Sequence, residues 1–166
     1  MIGLKRVLVA TDFSAPSTAA LAYGRELARS FGATLTVVHI VDDIGIRAYG
    51  LDSGVLWTDP AIQRQFEADA LTQVNAAISD DDRTHLAAKG VVLVSSAASA
   101  AIVSYAHESK TDLIVMGTHG RGGFAHLLMG SVSERVVQSA PCPVLTVRHP
   151  EHEFVHADAM VAVVKA

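Results

Sequence analysis

The chain has a single cysteine, Cys142. No disulfide can form within it, and a reducing, cytoplasmic compartment is the expected setting. Long apolar runs are missing too. The longest uncharged stretch, residues 91–106, carries four serines and falls short of the ~20 residues a membrane span needs. After Lys5 and Arg6 the apolar run Val7–Ala10 meets Thr11 and Asp12 at once, too early for a signal-peptide core. Nor is there an excess of cations. With 13 Lys and Arg against 17 Asp and Glu, a net charge of −4 gives no general attraction for nucleic acid or an anionic bilayer. Aromatic residues make up only 5% while half the chain is apolar, so small aliphatic side chains dominate. That composition suits parallel strands covered by helices on both faces, and 166 residues suffice for one such core.

The aliphatic runs punctuate the chain accordingly. Arg6–Ala10 reads as a first strand, and Thr11–Ser14 as a turn with Ser14 capping a helix that holds Pro16 in its first turn. Ala20, Leu21, Gly24, Leu27, Ala28 and Phe31 fall on one face of that helix, which Gly32 ends. Thr34–Ile40 is a second strand and residues 42–58 a long surface loop. A second helix restarts at Asp59-Pro60 with Ile62, Phe66, Ala70, Val74 and Ile78 at helical spacing. Asp80-Asp81-Asp82 reads as a solvated break in it, and Gly90 as its stop. Val91–Ser95 is a third strand, Ser99 to about Ser109 a helix, and Leu113–Met116 a fourth strand. A helix over Ser131–Ser139 leads to a fifth strand, Val144–Val147, introduced by Pro141 and Pro143. Strands alternate with helices, without internal repeat or linker. The fold class expected is α/β, a doubly wound five-stranded parallel sheet. It forms one domain over residues 1–148, with a C-terminal tail over 149–166.

The chemistry concentrates between the fourth strand and the last helix. Gly117-Thr118-His119-Gly120-Arg121-Gly122-Gly123 places four glycines in seven residues. Glycine tolerates positive φ and lacks the Cβ that would hold a phosphate off the backbone, so successive N–H groups can converge on an anion. Gly130-Ser131 then opens a helix, where unpaired N–H groups and the helix dipole favour negative charge. Ser131 can cap that helix or bond a phosphate. The competing reading is that the glycines only make a tight turn from strand to helix; their density together with the helix-opening Gly-Ser favours phosphate.

Gly117-x-x-Gly120, nine residues, then Gly130-Ser131 resembles the ATP-binding motif of the universal stress protein family. The segments Val7–Ser14, His39–Asp42, Asp112–Gly120 and Ala140–Leu145 are similar to that family as well, so the likeness spans roughly residues 3–148. It implies a Rossmann-like strand order 3-2-1-4-5, with the ligand at the switch point between strands one and four. On the family pattern, the backbone at Ala10 and Ile40 bounds the adenine, and Thr11 and Asp12 face the nucleoside, or Asp12 helps a metal. Met116, Gly117, Thr118, His119, Gly120, Arg121, Gly122 and Gly123, with Gly130, Ser131, Val132 and Ser133, hold ribose and phosphates. Asp12 alternatively serves only its turn; His119 touches phosphate or packs in the loop; Arg121 pairs with phosphate or stays solvated. Mg or Mn is implied by the triphosphate, since the metal ligands are not marked by spacing. The family's usual Gly-x-Pro before the third helix is Ser96-Ala97-Ala98 here.

The function this implies is an ATP-binding, nucleotide-responsive regulatory dimer of the stress response. The alternative is a slow ATP hydrolase or phosphotransferase. No catalytic residue is assigned: there is no Gly-x-x-x-x-Gly-Lys-Ser/Thr, and none of Lys5, Lys89, Lys110 and Lys165 lies in a binding loop. A third reading, a member that binds no nucleotide and acts through dimer contacts, is opposed by the intact motif. In the implied order strand five lies at the sheet edge, so Val144, Leu145, Thr146 and Val147 are expected to pair with a second copy. The tail segment Met160–Val164 is a candidate to pack at that seam. Cys142 reads as a buried small hydrophobe, and His149, His152 and His156 as a solvated tail rather than a metal site.

Overall fold

Strand β1 (Arg6–Ala10) lies at the centre of a parallel sheet whose order is β3-β2-β1-β4-β5, as expected. The computed structural model describes residues 3–44, 60–118 and 129–148. β2 (Thr34–Val41) flanks β1 on one side, with Arg6 opposite Thr34 and Ala10 opposite Val38. β4 (Leu113–Gly117) flanks it on the other, with Val7 opposite Leu113 and Ala10 opposite Met116. β3 (Lys89–Val94) and β5 (Val144–Val147) form the two edges. Successive residues of β1 feed opposite faces of the sheet. Val7 and Val9 join Leu35, Val37 and Val115 in one core, while Leu8 and Ala10 join Val38, Ile114 and Met116 in the other. This two-sided burial is why the strands read as unbroken aliphatic runs rather than as alternating patterns.

Helix α1 (Ala15–Phe31) covers the first face, through Ala20, Leu21, Gly24 and Ala28. Ser14 caps it by accepting the Ser17 N–H, and Gly32, at φ 62°, ends it in a left-handed turn. A Cβ on Gly24 would land on the Val9 side chain, so glycine is what lets this helix lie close on β1. Phe31, expected on the buried face, is exposed at the helix end. Helix α2 (Pro60–Ala77) packs on the same face. It does so through Ala70 and Val74, followed by Ile78; Ile62 and Phe66, at the same helical spacing, remain exposed.

The acidic run does break the helix, as expected, but it is only partly solvated: Asp80 and Asp81 are exposed while Asp82 is buried. Ser79 starts a separate short helix, α3 (Asp80–Leu86), by a reciprocal capping box. The Asp82 N–H donates to Ser79 Oγ at 3.1 Å, and the Ser79 N–H donates to Asp82 Oδ2 at 3.0 Å. Asp82 is fully buried and takes the Arg25 guanidinium at 2.7 Å and that of Arg29 at 3.4 Å. Arg25 also donates to the carbonyl of Ala77, the last residue of α2. Burial pushes the Asp82 carboxyl up, but Arg25 and the two Ser79 hydrogen bonds outweigh it and hold the group below the usual carboxylate range. Gly90 does not end a helix either. Ala87, at φ 45°, closes α3, and Gly90 lies inside β3 where a Cβ would strike the Val74 side chain.

On the second face lie α4 (Ala98–Glu108) and α5 (Ser131–Ser139), buried through Ile102, Ala106 and Val136. Where the family's Gly-x-Pro is absent, α4 starts from Ala97 without a side-chain cap; Ser95 Oγ instead accepts the Ala97 N–H at 3.0 Å. Asp112 ties the start of β1 to the turn before β4 by accepting the N–H groups of Lys5 and Arg6 at 2.9 and 2.8 Å. Among the described residues, no helix is long and apolar enough to cross a membrane. The tail over 149–166 lies outside the described residues, as does most of the expected loop over 42–58.

Candidate functional site

α1 leaves β1 over one face of the sheet, and α5 follows β4 on the other. The connections after these two neighbouring strands therefore diverge, leaving a crevice at their C-terminal ends, the usual ligand position in a doubly wound sheet. Of the described residues proposed for the site, all but Ile40 stand at the ends of these two strands or at the start of α5. Ala10, Thr11 and Asp12 end β1, Met116, Gly117 and Thr118 end β4, and Gly130, Ser131, Val132 and Ser133 open α5. Ile40 lies near the end of the adjacent β2, half-buried against the second core. His119, Gly120, Arg121, Gly122 and Gly123 lie outside the described residues.

The two ends of the glycine-rich segment are fastened together. The Gly130 N–H donates to the Thr118 carbonyl at 2.7 Å, and the buried Ser133 hydroxyl donates to the same oxygen at 2.8 Å. Thr118 is in turn held to β5, its N–H donating to the Val147 carbonyl at 2.8 Å. Ser133 thus spends its hydroxyl proton on the base of the loop, a role its sequence position does not reveal. Gly130, not Ser131, is the N-cap of α5, and it brings no side-chain capping bond. Ser131 and Val132 are exposed, and the first turn of this nine-residue helix carries N–H groups without intrahelical partners and the positive dipole end.

On the β1 side, Asp12 Oδ1 accepts both the N–H and the hydroxyl of Ser14. The Phe13 N–H donates to Thr11 Oγ1 at 3.1 Å. Phe13 itself has φ 63°, a left-handed conformation that costs a side-chain-bearing residue about 1–2 kcal/mol. His39 on β2 meets this turn: its Nδ1 lies 2.8 Å from the Thr11 carbonyl and its ring 4.4 Å from that of Phe13, centroid to centroid. In the sequence His39 and Phe13 stand out only as parts of a likeness. Their contact joins two strands, so no local spacing announces it.

The described lysines are placed elsewhere. Lys5, Lys89 and Lys110 stand at or just before the first residues of β1, β3 and β4, the edge of the sheet opposite the crevice; Lys165 is outside the described residues. Cys142, just ahead of β5, is also at that opposite edge, and burial pushes its thiol up, which keeps thiolate scarce at neutral pH. Among the described residues no group of three or more His, Cys, Asp or Glu is arranged to hold a metal.

A model of the universal stress protein family matches residues 3–148. A universal stress protein of Methanocaldococcus jannaschii is 31% identical over 153 residues, 90% of this chain and 85% of its own length. Among solved structures, universal stress protein UspA of Lactobacillus plantarum superposes with a TM-score of 0.72 at 25% identity, covering 89% of this chain and all of that one. A universal stress protein of Archaeoglobus fulgidus, solved in complex with dAMP, gives a TM-score of 0.57 at 26% identity, covering 89% and 99% of the two chains.

Proposed function

The chain belongs to the universal stress protein family, and from that premise we propose that it is a cytoplasmic ATP-binding protein whose dimer responds to nucleotide in the stress response. One observation carries the reading: the N-terminus of α5, without a side-chain cap, is hydrogen-bonded through Gly130 to Thr118 at the end of β4, beside the crevice between β1 and β4. Its N–H groups suit a phosphate chain, and the relative complexed with dAMP supports the adenine half of the ligand. In this reading the backbone at Ala10 and Ile40 borders the adenine, Asp12 faces the nucleoside, and the segment from Gly117 to Ser133 takes the phosphates. Mg or Mn comes with the triphosphate, carried by phosphate oxygens. Mass spectrometry of the purified protein for retained adenine nucleotide, followed by calorimetry with ATP, tests the assignment. A folded Gly120→Val chain should bind no ATP, because the added side chain blocks backbone approach to phosphate. Unchanged affinity in that chain would sink the proposal.

Turnover is expected to be absent or very slow. Phosphoryl transfer needs charge stabilisation on the moving group, and the three described lysines stand at the far edge of the sheet. A steady-state ATPase rate of about 1 s⁻¹ or more, the low end of ordinary enzymes, would falsify the binding-protein reading.

The dimer is proposed along β5. Val144, Leu145 and Thr146 are only half-buried on this edge strand, and Val132 and Val137 of α5 are exposed. An edge strand with apolar neighbours invites pairing, and two-fold antiparallel pairing with a second copy would close it. Replacing Leu145 by Lys should halve the mass seen by light scattering at concentrations where the wild type is dimeric, leaving circular dichroism unchanged. A wild type that is monomeric throughout would remove this part of the reading.

A further inference from the structure

Phenylalanine holds a left-handed conformation only where its surroundings over-determine it, and Phe13 does so at φ 63° in the turn that leaves β1 for the crevice. Two restraints come from within the turn: Thr11 Oγ1 accepts the Phe13 N–H, and Asp12 Oδ1 accepts the Ser14 N–H, each at 3.1 Å. Others come from β2. The Thr11 N–H donates to the Val38 carbonyl at 2.9 Å, and the Thr11 carbonyl accepts from His39 Nδ1 at 2.8 Å. Consecutive residues of β2 therefore bracket the backbone of Thr11, the residue just before Asp12. A carbonyl can only accept, so the imidazole carries a proton on Nδ1. The same ring packs against Phe13 at 4.4 Å with a 35° tilt. Strand alternation puts His39 on the face of Val37 and Val41, and Ile40 on the opposite one.

We infer that His39 is a positioning residue of the nucleotide site: its Nδ1–H holds the Thr11 carbonyl so that the Asp12 turn is formed before an adenine nucleotide arrives. The inference rests on the adenine-nucleotide reading of the crevice. A chain that visits the competent turn only part of the time binds more weakly by that fraction, so a fall to about a tenth weakens the apparent affinity about tenfold. Asparagine carries an amide donor close to where Nδ1 sits; glutamine sets it one methylene further out.

Calorimetry with ATP on wild type, His39→Asn and His39→Gln, with melting curves of each in the absence of nucleotide, tests this. The Asn chain is expected within about threefold of wild type and the Gln chain about tenfold weaker, with both melting close to wild type. Equal affinity of all three chains overturns the inference while leaving the site reading intact. So does an equal loss in both variants that follows a drop in melting temperature, since His39 would then serve only stability. A wild-type chain that binds no adenine nucleotide sinks the reading of the crevice, and this inference falls with it.

Discussion

A chain carrying Ser131→Glu is expected to lose ATP affinity by about a hundredfold while melting no lower than wild type. The two halves of that result have opposite signs because they probe the same helix end. Ser131 is the exposed first residue of α5, and Gly130 ahead of it supplies no side-chain cap. A carboxylate there meets the positive end of the helix dipole, which favours the fold by about 0.3–1 kcal/mol. Toward a phosphate at the same helix end it is a like charge. At about 6 Å and an effective dielectric near 20, one pair of unit charges costs roughly 3 kcal/mol, or about a hundredfold in affinity. Ser131→Ala removes only a hydroxyl and should stay within about tenfold of wild type, the scale of one hydrogen bond. Calorimetry and thermal melts on the same preparations separate the effects. Undiminished ATP affinity in the glutamate variant would show that phosphate binds elsewhere or not at all.

Much of this crevice could be read from the sequence, because its two arms are local patterns. Arg6–Ala10 and Val144–Val147 have the bounds expected of them, since short, mostly aliphatic runs flanked by turn residues leave little choice. Ser14, Pro16 and Gly32 mark α1 through interactions that reach three to five residues. Elements set by distant partners were less legible. A glycine after a helix ordinarily signals its stop, yet Gly90 is required by the approach of Val74, and it is Ala87 that takes the left-handed turn. The spacing of Ile62 and Phe66 matches that of Ala70 and Val74, but only the latter pair reaches the sheet. Within the site, the hydroxyl of Ser133 and the ring of His39 hold backbone carbonyls 15 and 28 residues away. A spacing rule built on one helix or one strand cannot anticipate either.

Asp82 is the sharpest instance, and its replacement by alanine is expected to destabilise the chain by about 3 kcal/mol, the lower end for breaking a buried ion pair. The lower end applies because Arg25, at 25% side-chain exposure, and Arg29, at 38%, can recover some hydration once the carboxylate is gone. For a domain of this size the melting temperature should fall by about 6–12 °C. Three of the elements meet at this one side chain: it caps α3 through Ser79, accepts from Arg25 and Arg29 of α1, and Arg25 in turn holds the last carbonyl of α2. Asp82→Asn separates the charge from the cap, since its side-chain oxygen can still accept the Ser79 N–H while the attraction to the guanidinium groups is lost. The pH dependence follows from the depressed carboxyl. Its stabilisation is fully present above the unfolded-state value of about 3.9, and is lost as the pH falls through the lower folded value. The gap between wild type and Asp82→Asn should therefore hold steady from neutral pH down to about 5 and narrow below about 4. Urea denaturation of both chains across that range measures it. A gap that is negligible at neutral pH, or that does not shrink in acid, would mean that the buried carboxylate acts through its shape and hydrogen bonds rather than through its charge.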